Sequence, residues 1–375
     1  MPSVKIFYAV KCNDNKTLLE TLAILGVGFD CASKKEIRQV MSLGVSPSRI
    51  IYAHPCKSEH DLRYASKVSL TLMTFDSPEE LLKVKKCYPE AELVLRIRCD
   101  ALEATYKLGS KYGASTRDTK ALLSMAKDLG LDVVGVSFHV GSGCQELEVY
   151  SRAIAKAKQV FNEAEDLGMR LTLLDLGGGF PGRISDGMEK FASVINSALD
   201  EYFPPQDHKD LKIIGEPGRY VSTSAFTLAT SIRAKKTVVE DGQVVKMYYI
   251  NDGVYCSFSA ILAEGEIYSP VVLNNSTEED TERSMIWGPS CCSLDVLKKT
   301  IRLPNLECSD WLYWPDMGAY TLSNVSPFNG FPHPVVHAMA SPETWSRLQE
   351  LSERDNKMGI HCNGGYLEKG MAQTD

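Results

Sequence analysis

Short apolar runs alternate with stretches of helical periodicity over the first 220 residues. The runs cover residues 6–11, 27–31, 49–53, 70–75, 93–97, 133–140, 171–176 and 211–215. Each has the length of a buried strand. Between them, apolar positions recur at helical spacing. Asn13-Asp14-Asn15 reads as cap chemistry ahead of a helix over 16–26, and Ser77-Pro78-Glu79-Glu80 opens another. The periodic stretches 116–130 and 146–168 both end on glycine, and 187–203 is the last. Eight strands separated by helices predict an α/β fold, a TIM-like parallel (β/α)8 barrel rather than an open doubly wound sheet. The chain starts almost on the first run, so the pattern predicts a barrel lacking its N-terminal start.

Beyond about residue 221 the texture changes. Runs at 245–250, 285–287, 311–314 and 335–338 are short, β-rich and punctuated by Gly, Pro and Asn. They predict a second, mostly antiparallel β domain. The expected division is a barrel over 1–222, a β domain over 223–345 and a polar tail over 346–375, poorly ordered from about Ser352.

Charge narrows the partners. Lys plus Arg number 41 and Asp plus Glu 48, a net −7 over 375 residues. That disfavours nucleic acid or an anionic membrane as the main partner. No apolar run reaches membrane-span length, and no signal-peptide core opens the chain. The eleven cysteines are scattered, with no zinc-type pair. The expectation is a reduced, cytoplasmic protein without a metal site.

In a barrel of this kind, reactive groups gather where the strands end. The predicted ends are Lys11, Asp30, His54, Asp76, Arg96, His139, Gly177-Gly178-Gly179 and Glu216-Pro217-Gly218-Arg219. A lysine closing an apolar strand is costly to bury unless paired or used. The glycine run lets backbone N–H groups approach an anion, and Gly218-Arg219 adds a further N–H and a fixed positive charge. A lysine facing a phosphate site suits pyridoxal 5′-phosphate, whose aldehyde the amine binds. Glu216 is the candidate partner of the ring nitrogen. His139 is a general base, a metal ligand or a partner stacked on the ring, with stacking preferred because no second His lies at metal spacing. Further along, Cys291 is a candidate acid for protonating a carbanion.

Several segments together resemble the eukaryotic ornithine decarboxylase family. They are Phe7-Tyr8-Ala9-Val10-Lys11-Cys12-Asn13, Gly28-Phe29-Asp30-Cys31-Ala32-Ser33, Ser137-Phe138-His139-Val140-Gly141-Ser142-Gly143-Cys144, residues 175–182 and 216–220. Later ones are Asn251-Asp252-Gly253-Val254-Tyr255, 287–291, 317–321 and Phe328-Asn329-Gly330-Phe331. The resemblance runs to about residue 345. It implies a pyridoxal-phosphate barrel with a β domain, working as a homodimer with shared sites. Lys11 would be the Schiff-base lysine, supported by Asp30, Glu36 and Arg96. His139 would stack on the ring, and Glu216 would pair with its nitrogen. Ser142, Gly177, Gly178, Gly179, Gly218, Arg219 and Tyr320 would hold the phosphate. Cys291 would protonate the α-carbon in the partner subunit's site. Asp76 with Lys111, and Lys236 with Asp295, would form interfacial ion pairs. Residues near 59–82 would correspond to an antizyme-binding surface.

Two departures lie in the implied substrate pocket, lined by Ala263, Glu264, Cys292 and Phe328. The family carries an aspartate directly after its catalytic cysteine, where this chain has Cys292. Its Tyr-Asp pair is here Ala263-Glu264. Those aspartates receive ornithine's terminal ammonium. A neutral, leucine-sized amino acid is therefore the expected substrate, with ornithine, the precursor of polyamine synthesis, as the alternative. A non-catalytic, antizyme-binding paralogue of the antizyme-inhibitor kind is the alternative of another class. Lys11, Asp30, Arg219, Glu216 and Cys291 are all present, which favours the enzyme.

Overall fold

The computed structural model describes the chain except residues 100–108, 145, 184, 186, 274–280 and 358–375, and gives the backbone alone for 354–357. It divides into two compact units: Met1–Tyr220 together with the chain from Ala338 onward, and Val221–His337.

The first unit is a closed parallel barrel. Its strands are β1 (Val4–Ala9), β2 (Gly28–Cys31), β3 (Ile50–Tyr52), β4 (Leu72–Phe75), β5 (Glu92–Ile97), β6 (Asp132–Phe138), β7 (Leu173–Asp175) and β8 (Lys212–Gly215). Between them lie α1 (Lys16–Ile24), α2 (Lys34–Met41), α3 (Glu59–Lys67), α4 (Pro78–Cys87), α5 (Thr119–Asp128), α6 (Glu148–Asp166) and α7 (Met188–Tyr202). All eight predicted strands form, with ends within two residues of the predicted ones. The described strands close on themselves: β1 pairs with β2 on one side and β8 on the other, Ile6 lying opposite Gly215. Ile51, Val94, Leu173 and Ile214 fill the interior from four different strands, the layered packing that makes such a barrel a core rather than a pore.

Serine and asparagine caps fix where several helices begin. Asn15, Ser33, Ser58 and Ser77 accept the N–H groups of Leu18, Glu36, Asp61 and Glu80, each worth roughly 1 kcal/mol. Under this rim lies an ion pair invisible to periodicity. Lys57 Nζ, fully buried, meets Glu80 Oε1 at 2.8 Å and donates to the carbonyl of Thr74 at 2.6 Å. Glu80 Oε2 also meets Lys83 at 2.7 Å.

The short α8 (Arg219–Ser222) leads to the second unit, a six-stranded sheet. Its strands are β9 (Leu228–Glu240), β10 (Gln243–Ile250), β11 (Val271–Val272), β12 (Thr281–Trp287), β13 (Val296–Pro304) and β14 (Trp311–Trp314), in the order β11-β14-β9-β10-β12-β13. One pairing, β10 with β12, is parallel; the rest are antiparallel. The helix α9 (Ser259–Glu264) follows β10. Trp314, Phe258, Tyr248 and Ile286 lie in the core. The Trp314 indole N–H is satisfied by Thr230 Oγ1 at 2.9 Å.

Two C-terminal expectations are corrected. Residues 335–338 form no strand. Pro332 and Pro334 remove two donors just ahead of them, and Val335 is 78% exposed. The stretch read as the end of a β domain and the start of a polar tail instead forms α10 (Pro342–Lys357). Ser341 caps it, accepting the Thr344 N–H at 3.1 Å. Trp345, Leu348 and Leu351 recur at helical spacing and are half-buried, and α10 lies against α1. Among the described residues, no helix is long and apolar enough to cross a membrane.

Candidate active site

The strand ends of the barrel gather the titratable groups. Lys11 sits not in β1 but in the single 3-10 turn Val10–Cys12 that follows it. The turn forms because the Asn13 N–H reaches back to the Val10 carbonyl at 3.1 Å. It carries Lys11 Nζ to 2.5 Å from Asp30 Oδ2. Asp30 stands opposite Ala9 in the β1–β2 register. The lysine side chain is 40% exposed while the aspartate's is fully buried: an accessible amine on an inaccessible counter-charge. Glu36, at the start of α2, accepts the Ala32 N–H at 2.6 Å, and burial pushes its carboxyl up.

Arg96, near the end of β5, stacks its guanidinium over the Tyr112 ring at 5.3 Å. His54 packs edge-on with the same ring at 5.7 Å. Asp76 accepts the Gly113 N–H at 2.7 Å.

His139 follows β6 and is a neutral imidazole. Its Nδ1 accepts the Gly141 N–H at 3.0 Å, which places the ring proton on Nε2. Burial, then the charges of Arg96 and Lys11, hold its pKa well below the ordinary histidine value. The ring lies beside Gly178, where any Cβ would come within 2.9 Å of both His139 Nε2 and the Glu216 carbonyl. Gly177 and Gly179 flank it with φ of +60° and +102°, a region side chains rarely adopt. Tyr150 Oη fixes the Gly178 carbonyl at 3.0 Å. On the next loop, Gly218 packs on Cys12 with no room for a Cβ, which would lie 2.8 Å from the Cys12 Cβ. Arg219 Nε donates to Ser142 Oγ at 3.2 Å, so two of the expected phosphate-holding side chains are already together.

Asp175 was not among the singled-out residues, yet it belongs here. It ends β7 fully buried, and its Oδ1 accepts the Gly177 N–H at 2.8 Å. Its carboxyl lies close to that of Glu216. Burial pushes Asp175 up to about 7. Burial and then the charge of Asp175 push Glu216 well above the usual carboxylate range. The only local signal for Asp175 is an acid at the edge of an apolar run, directly ahead of three glycines.

These residues fit pyridoxal phosphate. Asp30 Oδ1, Ser137 Oγ, Asp175 Oδ2 and Glu216 Oε1 are buried without a hydrogen-bond partner, a costly state that an N–H donor at the site relieves. The glycine corner is a cradle that any Cβ would fill, and Arg219 stands beside it.

In the second unit, Cys291 is exposed and Cys292 half-buried on the turn between β12 and β13. The Cys291 N–H donates to Asn329 Oδ1 at 3.1 Å. The Tyr255 hydroxyl donates to Cys292 Sγ at 2.9 Å, and its ring lies 4.4 Å from that of Phe328. Ala263 and Glu264 close α9, the first exposed and the second half-buried. Tyr320 holds a positive φ of 53°. Asp295 directs its carboxylate inward, to the Val254 and Ser290 N–H groups at 2.9 Å each. These contacts organise the loop.

Residues 1–223 match the pyridoxal binding domain of the pyridoxal-dependent decarboxylases. The chain is 44% identical to rat (Rattus norvegicus) ornithine decarboxylase over 364 residues, 94% of this chain and 78% of that one. It is 45% identical to antizyme inhibitor 2 of Xenopus laevis over 362 residues, 94% and 79% of the two chains. The crystal structure of a Paramecium bursaria Chlorella virus arginine decarboxylase bound to agmatine superposes with a TM-score of 0.84 at 39% identity, over 88% of each chain. The barrel, its lysine and these likenesses agree: the chain belongs to the ornithine decarboxylase family of pyridoxal-dependent decarboxylases, carboxy-lyases that work with pyridoxal 5′-phosphate.

Proposed function

We propose that this decarboxylase takes a neutral, leucine-sized α-amino acid and releases carbon dioxide and a primary amine. One observation carries the choice. Where the resembling family has an aspartate, Cys292 presents a thiol whose sulfur already receives the Tyr255 hydroxyl, and Tyr255 leans on Phe328. An ammonium brought to such a wall without its carboxylate forfeits on the order of 3–5 kcal/mol. A branched alkyl chain there gains roughly 2 kcal/mol by burial. Glu264, a half-buried carboxylate at the end of α9, is the observation that supports ornithine as the second reading.

The residues divide the work. Lys11 would hold the cofactor's aldehyde, with Asp30 keeping the amine in place and Arg96 nearby. Gly178, Gly179 and Gly218 would offer N–H groups to the phosphate, with Ser142, Arg219 and Tyr320, while Gly177, its N–H held by Asp175, would shape the turn. When bound, the cofactor supplies a sink for the electron pair left as carbon dioxide departs. Glu216 would hold a proton toward the ring nitrogen, and neutral His139 would lie against the ring without adding charge. The Cys291 thiol would deliver the proton to the α-carbon. We assign it to the partner's site in a homodimer, as the family resemblance implies. The face around α3 and the start of α4, which exposes Leu82, is where antizyme would bind, a reading supported by the likeness to an antizyme inhibitor.

The test is amine production from purified protein, pyridoxal phosphate and an equimolar mixture of leucine, valine, methionine, lysine, arginine and ornithine. Isopentylamine as main product is expected. Putrescine as main product transfers the function to the ornithine reading, and absence of any amine defeats both.

A further inference from the structure

Cys291 and Cys292 are neighbours in sequence, and both carry free thiols on the turn between β12 and β13. The turn is held from several sides. Asn329 takes the Cys291 N–H at 3.1 Å, and the Cys292 carbonyl takes the Asp295 N–H at 3.0 Å. The Asp295 carboxylate pins Ser290, one residue before the pair. The two thiols nevertheless differ. Cys291 is exposed, whereas Cys292 is half-buried with the Tyr255 hydroxyl 2.9 Å from its sulfur. A hydrogen bond donated to sulfur is strongest when the sulfur is a thiolate, the form that attacks in thiol–disulfide chemistry. An oxidant in solution therefore meets Cys291 first, and a second sulfur stands one residue away with a donor in place.

We propose that the Cys291–Cys292 pair is a redox modification site, at which a peroxide closes a reversible disulfide between the two. In the first step the Cys291 sulfur attacks one peroxide oxygen. The O–O bond breaks, water leaves, and Cys291 becomes a sulfenic acid. In the second, the Cys292 sulfur attacks Cys291 Sγ. The S–S bond forms, the S–O bond breaks, and the hydroxide leaves as a second water with the Cys292 proton. Two thiols lose two electrons in total and one peroxide gains them.

The adjacency sets the character of the bond. Consecutive Cα atoms are about 3.8 Å apart, short of the roughly 4.4–6.8 Å usual for relaxed disulfides. A bond so constrained belongs to the class that small thiols readily reduce. Its formation diverts Cys291 from the irreversible sulfinic acid, the fate open to a solitary thiol.

The experiment treats holoenzyme with an equimolar amount of hydrogen peroxide, alkylates it, digests it with trypsin and weighs peptide 284–298, which contains these two cysteines and no other. The expected peptide is lighter by two hydrogen atoms and takes up no alkylating reagent until dithiothreitol is added. In Cys292→Ser, Cys291 should instead gain one oxygen, trapped by dimedone. With excess peroxide it should reach the sulfinic acid several-fold faster than in the wild type. A wild-type peptide that keeps both thiols, carries oxygen on Cys291 without closing the bond, or links Cys291 to a different cysteine overturns the proposal.

Discussion

The carboxyls of Asp175, at the end of β7, and Glu216, just past β8, are buried close together inside the barrel, where two such groups share a proton more readily than both ionise. The sign of the pH dependence follows. Unfolded, both groups ionise near pH ~4. Folded, Asp175 is pushed up to about 7 and Glu216 is raised as well. The folded protein holds the extra proton between these values, so the stabilisation is full below about pH 4 and is lost as pH rises through about 7. In cofactor-free protein, Asp175→Asn should shrink the drop in unfolding free energy between pH 5 and pH 8 by on the order of 2–4 kcal/mol. Urea titrations at the two pH values measure it. Equal drops in variant and wild type would remove the shared proton.

Gly178→Ala places a methyl group within 2.9 Å of His139 Nε2 and of the Glu216 carbonyl. The imidazole can turn aside, but the carbonyl belongs to the backbone. A loss of about 1–3 kcal/mol is expected, felt as a weaker hold on the cofactor more than as unfolding. Cofactor titration followed by absorbance, alongside a melting curve, separates the two. Unchanged cofactor affinity would show that this corner of the barrel is not the phosphate site.

Cys292→Asp restores a carboxylate beside Tyr255 and Phe328. Turnover of ornithine relative to leucine should rise by roughly 10²-fold or more, the scale of a regained partner for a buried ammonium. Competition assays with both amino acids read the ratio directly. A ratio that stays put would mean that the distal end of the substrate meets some other residue.

Lys57→Ala leaves Glu80 buried with Lys83 as its remaining charged partner. Removing one side of a buried pair typically costs about 3–5 kcal/mol, whereas replacing both partners by apolar residues of similar volume is often close to neutral. Lys57→Ala and Lys57→Met should therefore both lower the urea midpoint markedly, and Lys57→Met combined with Glu80→Leu much less. A midpoint for Lys57→Met close to that of the wild type would mean that the lysine stem, rather than its charge, supports α4.

The barrel was legible because strands buried on both faces read as continuous apolar runs, and glycines and charged residues mark their ends. Asp175 was not, since its meaning depends on the β7–β8 register that sets Glu216 beside it. Lys57 lies in the polar stretch His54-Pro55-Cys56-Lys57-Ser58 and looks like surface. Its burial comes from Glu80, 23 residues further along the chain. The opposite error occurs at Val335-Val336, whose apolar character suggested a strand although two prolines precede it. At α10, Trp345, Leu348 and Leu351 are spaced too sparsely among polar residues to announce a helix until α1 is there to receive them.

The glycine corner after β7 has a consequence for how this enzyme can diversify. Its surface is peptide backbone, and positions 177 to 179 admit no side chain, so mutation has little there to adjust. The turn at Cys291 and Cys292 is the reverse: its frame is tied by Asp295 and Asn329, while the side chains it displays can be exchanged singly. On the proposed reading, cofactor binding is thus inherited as a fixed part, and selectivity is left where a single codon can rewrite it.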